Sequence, residues 1–394
     1  MARRNITTGI DIGTYYVKVV VTEKVRSQNR YFPRIIGTGL STARGMRHGY
    51  ITDRADIQKS IREALQHAER SSGVAISRAY LSVGGVGLSA TTATGKTAVS
   101  KADMEVTDAD IKAATDASEN EIPSSLSLNR KVVHAIPLEF SLDRQEVLGS
   151  PLGLKGSSLE ATTLFITALE SHITELMEAV EGVGVEVVDM IAAPFAASFV
   201  CLSKPQKIAG CVLANVGAET LSIVVFENNI PVSLEVFPVG GSTITNDIAL
   251  NFKISLEEAE QVKRGAVTGS TVSQKRLNDI LSARLSDMNG YIATHLKRIG
   301  RHELLPAGVV ITGGCSGLSG IEEQAKADLN LPSSLASLGP LGKRDTLAKD
   351  QRWSVAYGLC IIGLNEEGEG GLGIGSFLQR TRSGVLSWFR QFLP

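Results

Sequence analysis

The chain has 394 residues, 43% of them apolar and 21% charged, with 40 Lys and Arg against 41 Asp and Glu. That length exceeds one ordinary core and predicts at least two domains, while the apolar share and balanced charge exclude an intrinsically disordered chain. A net charge of -1 argues against wholesale electrostatic capture of nucleic acid, so none is expected as a partner.

Residues 1–5 lead into strand-like sequence without an apolar leader, and no run approaches the ~18–20 apolar residues that span a bilayer, so a cytoplasmic chain is expected. Strand, Gly-Thr corner and strand follow over Ile6–Thr22, with a third strand near Arg34–Leu40. Asp53 reads as a helix cap before the apolar stripe Ile57, Ile61, Ala64, Leu65 and Ala68. After a strand at 79–83, residues 84–160 turn and cap in the manner of a small α+β insertion, with Thr107 opening a short helix and 132–142 extended.

The α/β texture resumes with a strand at 162–167, a helix from Ser171, a strand at 185–189 and a helix from about Ala193. A second sheet is expected from Ile208, and 211–226 repeats the opening pattern: strand, Gly-containing corner, strand. Self-similarity at a separation of roughly 200 residues predicts two related halves. Residues 255–300 have helical periodicity, opened by a Ser255/Glu258 capping-box pattern. Strand 308–312 runs into Gly313-Gly314 and a further helix, and an apolar helix covers about 351–364. Cys201, Cys211, Cys315 and Cys360 lie far apart and outside any CxxC pair, which predicts buried reduced thiols rather than a disulfide framework or zinc site.

Glycine corners between strands turn backbone N–H groups toward a common space, where they hold phosphate oxygens. One such corner is weak, because tight turns need glycine in any case. Here corners at 11–18 and 215–220 fall in two related halves, joined by Gly240-Gly241 before a helix and Gly313-Gly314 after a strand. Together they predict a cleft that grips phosphates from both sides.

These motifs resemble the actin-like ATPase superfamily. Gly9-Ile-Asp-Ile-Gly-Thr14 with Lys18 is similar to its first phosphate motif, 239–249 to the segment after its second, and 309–316 to its adenosine motif. Within the superfamily, 43–53, 133–143 and 149–156 resemble the bacterial division protein family FtsA. The resemblance implies an actin-like, ribonuclease H-like two-lobed α/β fold with an inserted small α+β subdomain called 1C and a C-terminal amphipathic helix. It divides the chain into subdomain 1A (1–83 and 161–203), 1C (84–160), 2A (204–250 and 301–366), 2B (251–300), a Gly-rich linker (367–375) and a tail (376–394).

By the same resemblance the cofactors are ATP and Mg2+. Asp11 would hold the ion through water, Gly13, Thr14 and Tyr15 would give backbone donors, and Lys18 a point charge. Asn215, Gly217 and Thr220 form the second corner, with Gly240 and Gly241 behind it. Glu260 and Lys263 would reach the ribose, although an i, i+3 pair alone is equally an exposed helix contact worth a few tenths of a kcal/mol. Gly313, Gly314 and Ser316 would border the adenosine. One departure stands out: the second motif usually has an acidic residue at Asn215, a small one at Glu219 and an Asp at Ser222, so the ion loses an anchor. With the apolar stretch 191–197 offering little beyond Ser198 to position water, ATP binding with slow or absent hydrolysis is expected.

In the tail, Val385, Leu386, Trp388, Phe389, Phe392 and Leu393 share an arc of roughly 160° on a helical wheel, with Arg390 opposite. Aromatics on one face and Arg on the other suit a helix lying on an anionic membrane, though a helix docked on its own domain or on a partner shows the same pattern. The resemblance implies a division-site adaptor on the cytoplasmic face of the membrane. It would self-assemble into filaments through 1C and its neighbours and bind the tubulin-like FtsZ through 251–300. A PilM-like platform for type IV pilus assembly, which lacks the amphipathic tail, is the second reading. A sugar kinase is the third, and it needs a carboxylate base that 191–197 does not supply.

Overall fold

The computed structural model describes residues 5–27, 30–265, 272–338 and 350–366. The opening hairpin is β1 (Ile6–Ile12) and β2 (Tyr16–Ser27), extended by β3 (Arg30–Thr42). A two-residue ladder, β4 (Met46–Arg47) with β5 (Tyr50–Ile51), leads into α1 (Arg54–Ser72) and β6 (Arg78–Val83). Asp53 caps α1 by accepting from the Asp56 N–H, and Gly73 ends it in the left-handed region. The insertion follows as β7 (Ser89–Ala98), α2 (Asp108–Asn120), α3 (Ser124–Ser127), β8 (Arg130–Leu142), β9 (Gln145–Val147) and β10 (Ser158–Leu169). Next come α4 (Glu170–Glu181), β11 (Glu186–Ala192), α5 (Ala193–Cys201) and α6 (Lys204–Ala209).

The second lobe contains β12 (Cys211–Val216), β13 (Leu221–Glu227), β14 (Ile230–Phe237), α7 (Gly241–Phe252), α8 (Leu256–Lys263) and α9 (Gln274–Arg298). It closes with β15 (Val309–Thr312), α10 (Ile321–Leu329) and β16 (Ser333–Leu335), before a single 3-10 turn at Gln351–Trp353 and α11 (Ser354–Glu366).

The internal repeat is real in three dimensions. The first sheet has the order β11-β6-β1-β2-β3, and the second contains β16-β15-β12-β13-β14. In each, a hairpin and its third strand are antiparallel while the two later strands join in parallel. The insertion adds β7-β10-β8-β9 to the outer edge of the second sheet through one bridged pair, Glu235 with Ser89. β10 runs unbroken across the 160/161 boundary expected for the insertion.

Between the two sheets lie α5 and α11, packed on each other, with α11 also against β1. Gly358 makes that crossing possible, because a β-carbon there would overlap the Ala196 carbonyl. The strands on either side are buried almost throughout, as expected of sheet centres covered on both faces.

Several details differ from the sequence reading. Residues 204–209 form α6, so the second sheet starts at Cys211 rather than Ile208; Ser203 and Gln206 cap that turn reciprocally, with Pro205 in its first turn. The 255–300 periodicity is two helices, α8 and α9. Ser255 does accept from the Glu258 N–H, as a cap should. The turn after Gly314 continues to Gly320 before α10 starts. The linker and the tail, with Val385, Leu386, Trp388, Phe389, Arg390, Phe392 and Leu393, lie outside the described residues. Among the described residues no helix is long and apolar enough to cross a membrane.

Candidate functional site

The two hairpin corners line one cleft of about 760 Å³. The Gly13 N–H donates to the Tyr16 carbonyl at 3.0 Å, and the Gly217 N–H to the Thr220 carbonyl at 2.8 Å. Both corners therefore close over the same i to i+3 spacing, which places Asp11 and Asn215 at equivalent strand ends. Asp11 pairs with Lys18 across its hairpin, as Asn215 does with Ser222.

Asp11 is the chemical centre of the first corner. It is only 6% exposed, and its carboxylate accepts from Lys18 Nζ at 2.5 Å and Ser82 Oγ at 2.9 Å. Ser82 comes from β6, the parallel neighbour of β1, and nothing local in the sequence points to it. The equivalent position in the second corner is the neutral Asn215, so the two corners together present one buried carboxylate where a symmetric arrangement would present two.

Thr14, Tyr15, Gly217, Thr220, Gly313 and Gly314 line the cleft. Gly240, Gly241 and Ser316 do not appear on its wall. The Gly241 N–H donates to the Gly217 carbonyl at 2.9 Å and the Ser242 N–H to the Ala218 carbonyl at 2.7 Å, so the start of α7 buttresses the second corner from behind. Ser242 and Thr245 face the cleft in place of the two glycines. Ser316 is buried, its hydroxyl donating to the Gly313 carbonyl at 2.7 Å, while the neighbouring Cys315, itself buried, and the exposed Gly317 line the cleft.

Glu260 and Lys263 both reach the cleft, but as a bonded pair at 2.5 Å. Lys263 is turned inward, donating to the Gly241 carbonyl at 3.1 Å and to Thr245 Oγ1 at 2.8 Å. Glu260 also accepts from Thr245 Oγ1 at 2.7 Å and from Arg264 Nε at 2.8 Å. Burial alone would raise its carboxyl, yet the bonds from Lys263, Thr245 and Arg264 outweigh it and hold the group below the usual range. The helix pair is thus fixed before any ligand arrives.

Among the cleft residues that escaped the sequence reading are Gly84, just after β6, Arg264 and Arg352, while Glu219, noted there only as a departure from the second motif, also lines the wall. Arg264 stands next to the Glu260/Lys263 pair and could have been found by its spacing. Arg352 could not, because the 3-10 turn that holds it is brought in from beyond the second sheet. Ala193 and Pro194 open onto the cleft, whereas Ser198 is fully buried with its hydroxyl donating to the Phe195 carbonyl at 2.7 Å.

Two sheets of matching strand order, closing paired corners over one cleft, define an actin-like protein. Solved structures of that kind superpose on the chain: the PilM–PilN type IV pilus biogenesis complex at TM-score 0.66 and 18% identity, covering 91% of this chain and 98% of that one, and MreB5 of Spiroplasma citri bound to ADP at TM-score 0.52 and 13% identity, covering 93% and 99%. Likeness at such identities establishes the fold alone. Sequence narrows it: residues 212–358 match the family described as cell division protein FtsA, and 85–167 match the SHS2 domain inserted in FtsA, together more than half of the chain. Cell division protein FtsA of Bacillus subtilis strain 168 is 29% identical, covering 88% of this chain and 81% of that one, and that of Escherichia coli K12 is 27% identical, covering 98% and 96%. The chain belongs to the FtsA family of actin-like cell-division proteins.

Proposed function

We propose that the chain binds ATP in this cleft and, as a filament on the cytoplasmic face of the membrane, tethers the FtsZ ring at the division site. The observation that carries the nucleotide half is the pair of corners converging on Asp11. The residues fit a polyphosphate: a β-carbon on Gly217 would fall 3.0 Å from the Thr220 carbonyl, so the corner stays bare of side chain and its amides remain approachable. A cleft of about 760 Å³ also suits a nucleotide-sized ligand.

In this reading the amides of Gly13, Thr14 and Tyr15 hold phosphate oxygens on one side, and Gly217 and Thr220 do so on the other. Lys18 supplies a fixed positive charge, Glu260 addresses the ribose, and Gly313 and Gly314 border the base. Mg2+, held by Asp11 through water, would neutralise phosphate charge. Asn215 and Ser222 add no second carboxylate for that ion, and Ala193 and Pro194 present no base to an attacking water, which supports weak hydrolysis. Titration calorimetry with Mg-ATP tests the site. Asp11→Asn should weaken binding at least tenfold, and phosphate release should stay well below about 1 per second.

The membrane and FtsZ halves rest on family membership and on the amphipathic pattern of 376–394. The tail would give reversible adhesion that polymerisation strengthens through multivalency. Contacts between subunits would use the insertion, and FtsZ would dock on 251–300. Deleting 376–394 should release the chain from anionic vesicles, and FtsZ should co-sediment with the vesicles only when the full chain is present. The division reading is preferred to a pilus platform because relatives aligned along most of the chain are named as cell division proteins.

A further inference from the structure

We propose that Tyr15, Tyr16, Arg264 and Arg352 form a cation–aromatic ladder across the mouth of the cleft, positioning residues that hold the lobes together and retard escape of the bound nucleotide. The two tyrosines belong to the first corner, in the first lobe. Their rings stand 4.7 Å apart and edge to face, at 77°. Arg264 ends α8 in the second lobe, and its guanidinium lies 5.6 Å from the Tyr15 ring. Arg352 lies 5.8 Å from the Tyr16 ring. All four side chains line the cleft.

Both arginines are held before they meet the rings. Arg264 Nε donates to Glu260 at 2.8 Å. Arg352 is locked onto Asp350 by bonds of 2.9, 3.0 and 2.7 Å. The turn that bears it is pinned to the second lobe, where Gln351 Nε2 donates to the Ala336 carbonyl at 3.1 Å. Guanidinium groups with their charge already paired make poor receptors for another anion. They still offer flat cationic faces to aromatic rings. The rungs therefore join the lobes rather than recruit a second ligand.

Tyr15 is 41% exposed, so its ring sits at the rim, between solvent and the interior of the cleft. A ligand leaving past Tyr15 parts the rungs, and so does any opening that separates Tyr15 from Arg264 or Tyr16 from Arg352. Two partly exposed cation–aromatic contacts amount to a change of roughly tenfold in an opening equilibrium. The retention half of the inference rests on the nucleotide reading above. The closure half does not.

The test uses the full chain in three forms: unaltered, Tyr15→Leu with Tyr16→Leu, and Tyr15→Phe with Tyr16→Phe. Spin labels at Arg62→Cys on α1 and Lys326→Cys on α10, both exposed, report the distance between lobes, because the four native thiols are buried. Without nucleotide, the leucine pair should broaden that distance distribution and shift it outward, and the phenylalanine pair should restore the narrow one. An unchanged distribution in the leucine pair overturns the ladder. With N-methylanthraniloyl-ATP as probe and ATP as chase, release from the leucine pair should be roughly tenfold faster, with phenylalanine rescuing it. Unchanged release overturns the retention role. Failure of the unaltered chain to take up the probe at all would instead remove the nucleotide reading and leave the spin-label result to judge closure. Arg352→Gln is the independent variant should the tyrosine changes disturb folding, and it should broaden the distribution as well.

Discussion

The backbone N–H of His48 donates to Glu219 Oε2 at 2.5 Å, tying the loop before α1 to the corner between β12 and β13. The bond joins residues 171 apart in sequence and crosses from one lobe to the other. His48 reaches it in the left-handed region, at φ 49°, a conformation that costs roughly 1 kcal/mol outside glycine. A charge-assisted bond offsets that cost. Glu219→Ala removes the acceptor and should destabilise the chain by about 2 kcal/mol in denaturant unfolding. Hydrogen exchange at His48 should accelerate with it, and unaltered exchange there would show that the contact is not populated in solution.

Lys207 is an odd resident of the core. It lies 4.8 Å from the Phe199 ring and 4.9 Å from the Phe226 ring, and burial pushes its pKa down to about 8. The unfolded chain keeps the ordinary, higher value, so the native state takes up fewer protons between about pH 8 and 10.5 and gains stability as pH rises through that window. Below it, the buried charge is a constant penalty. Lys207→Met should therefore stabilise the protein at pH 7 by about 1–2 kcal/mol. Its advantage should shrink between pH 8 and 10.5, as followed by thermal unfolding.

Buried histidines bear on the acid limit, two of them with strongly lowered values. His134 Nε2 accepts the Ala192 N–H at 3.1 Å, tying the insertion to the start of α5, and burial lowers its pKa to about 4. His295, between Ser233 and Arg298, is lowered to about 4 by burial and then by the Arg298 charge. In both cases the unfolded chain binds the proton more readily, so stability falls as pH drops from about 6.5 toward 4 and levels off below. His134→Gln keeps an acceptor without a titrating proton and should flatten that slope by up to about 3 kcal/mol. Calorimetric midpoints across the window would read it directly.

At the crossing of α5 and α11, Gly358→Ala should cost about 3 kcal/mol or more, since the added methyl meets backbone rather than a movable side chain. Because both helices lie beneath the cleft, the same variant should also loosen ligand binding. A midpoint within 1 °C of the unaltered chain would mean the helices can slide apart.

The thiols give a simpler expectation. Burial raises Cys201 to about 11 and both Cys211 and Cys360 to about 12. Iodoacetamide at pH 8 should leave them unmodified until the chain unfolds, because the thiolate is the reactive form.

The opening strands, both glycine corners and the capped helix at Asp53 could be read from the chain itself, because β-branched runs, turn residues and caps act over a few neighbouring positions. The same locality made the two halves visible: Gly13 to Tyr16 and Gly217 to Thr220 repeat one corner. What a residue faces is a different matter. Gly240, Gly241 and Ser316 belong to motifs recognisable in sequence, yet the pitch of α7 and the turn after β15 put them behind the wall. Ser82 and Arg352 reach the site only because parallel pairing and the return of the last helix bring distant segments together. The single bridge between Ser89 and Glu235, which extends the second sheet with the insertion, is likewise a matter of packing. Local stereochemistry wrote the elements and the corners into the sequence; burial and long-range pairing, which depend on the whole folded chain, decided which side chains meet across the cleft.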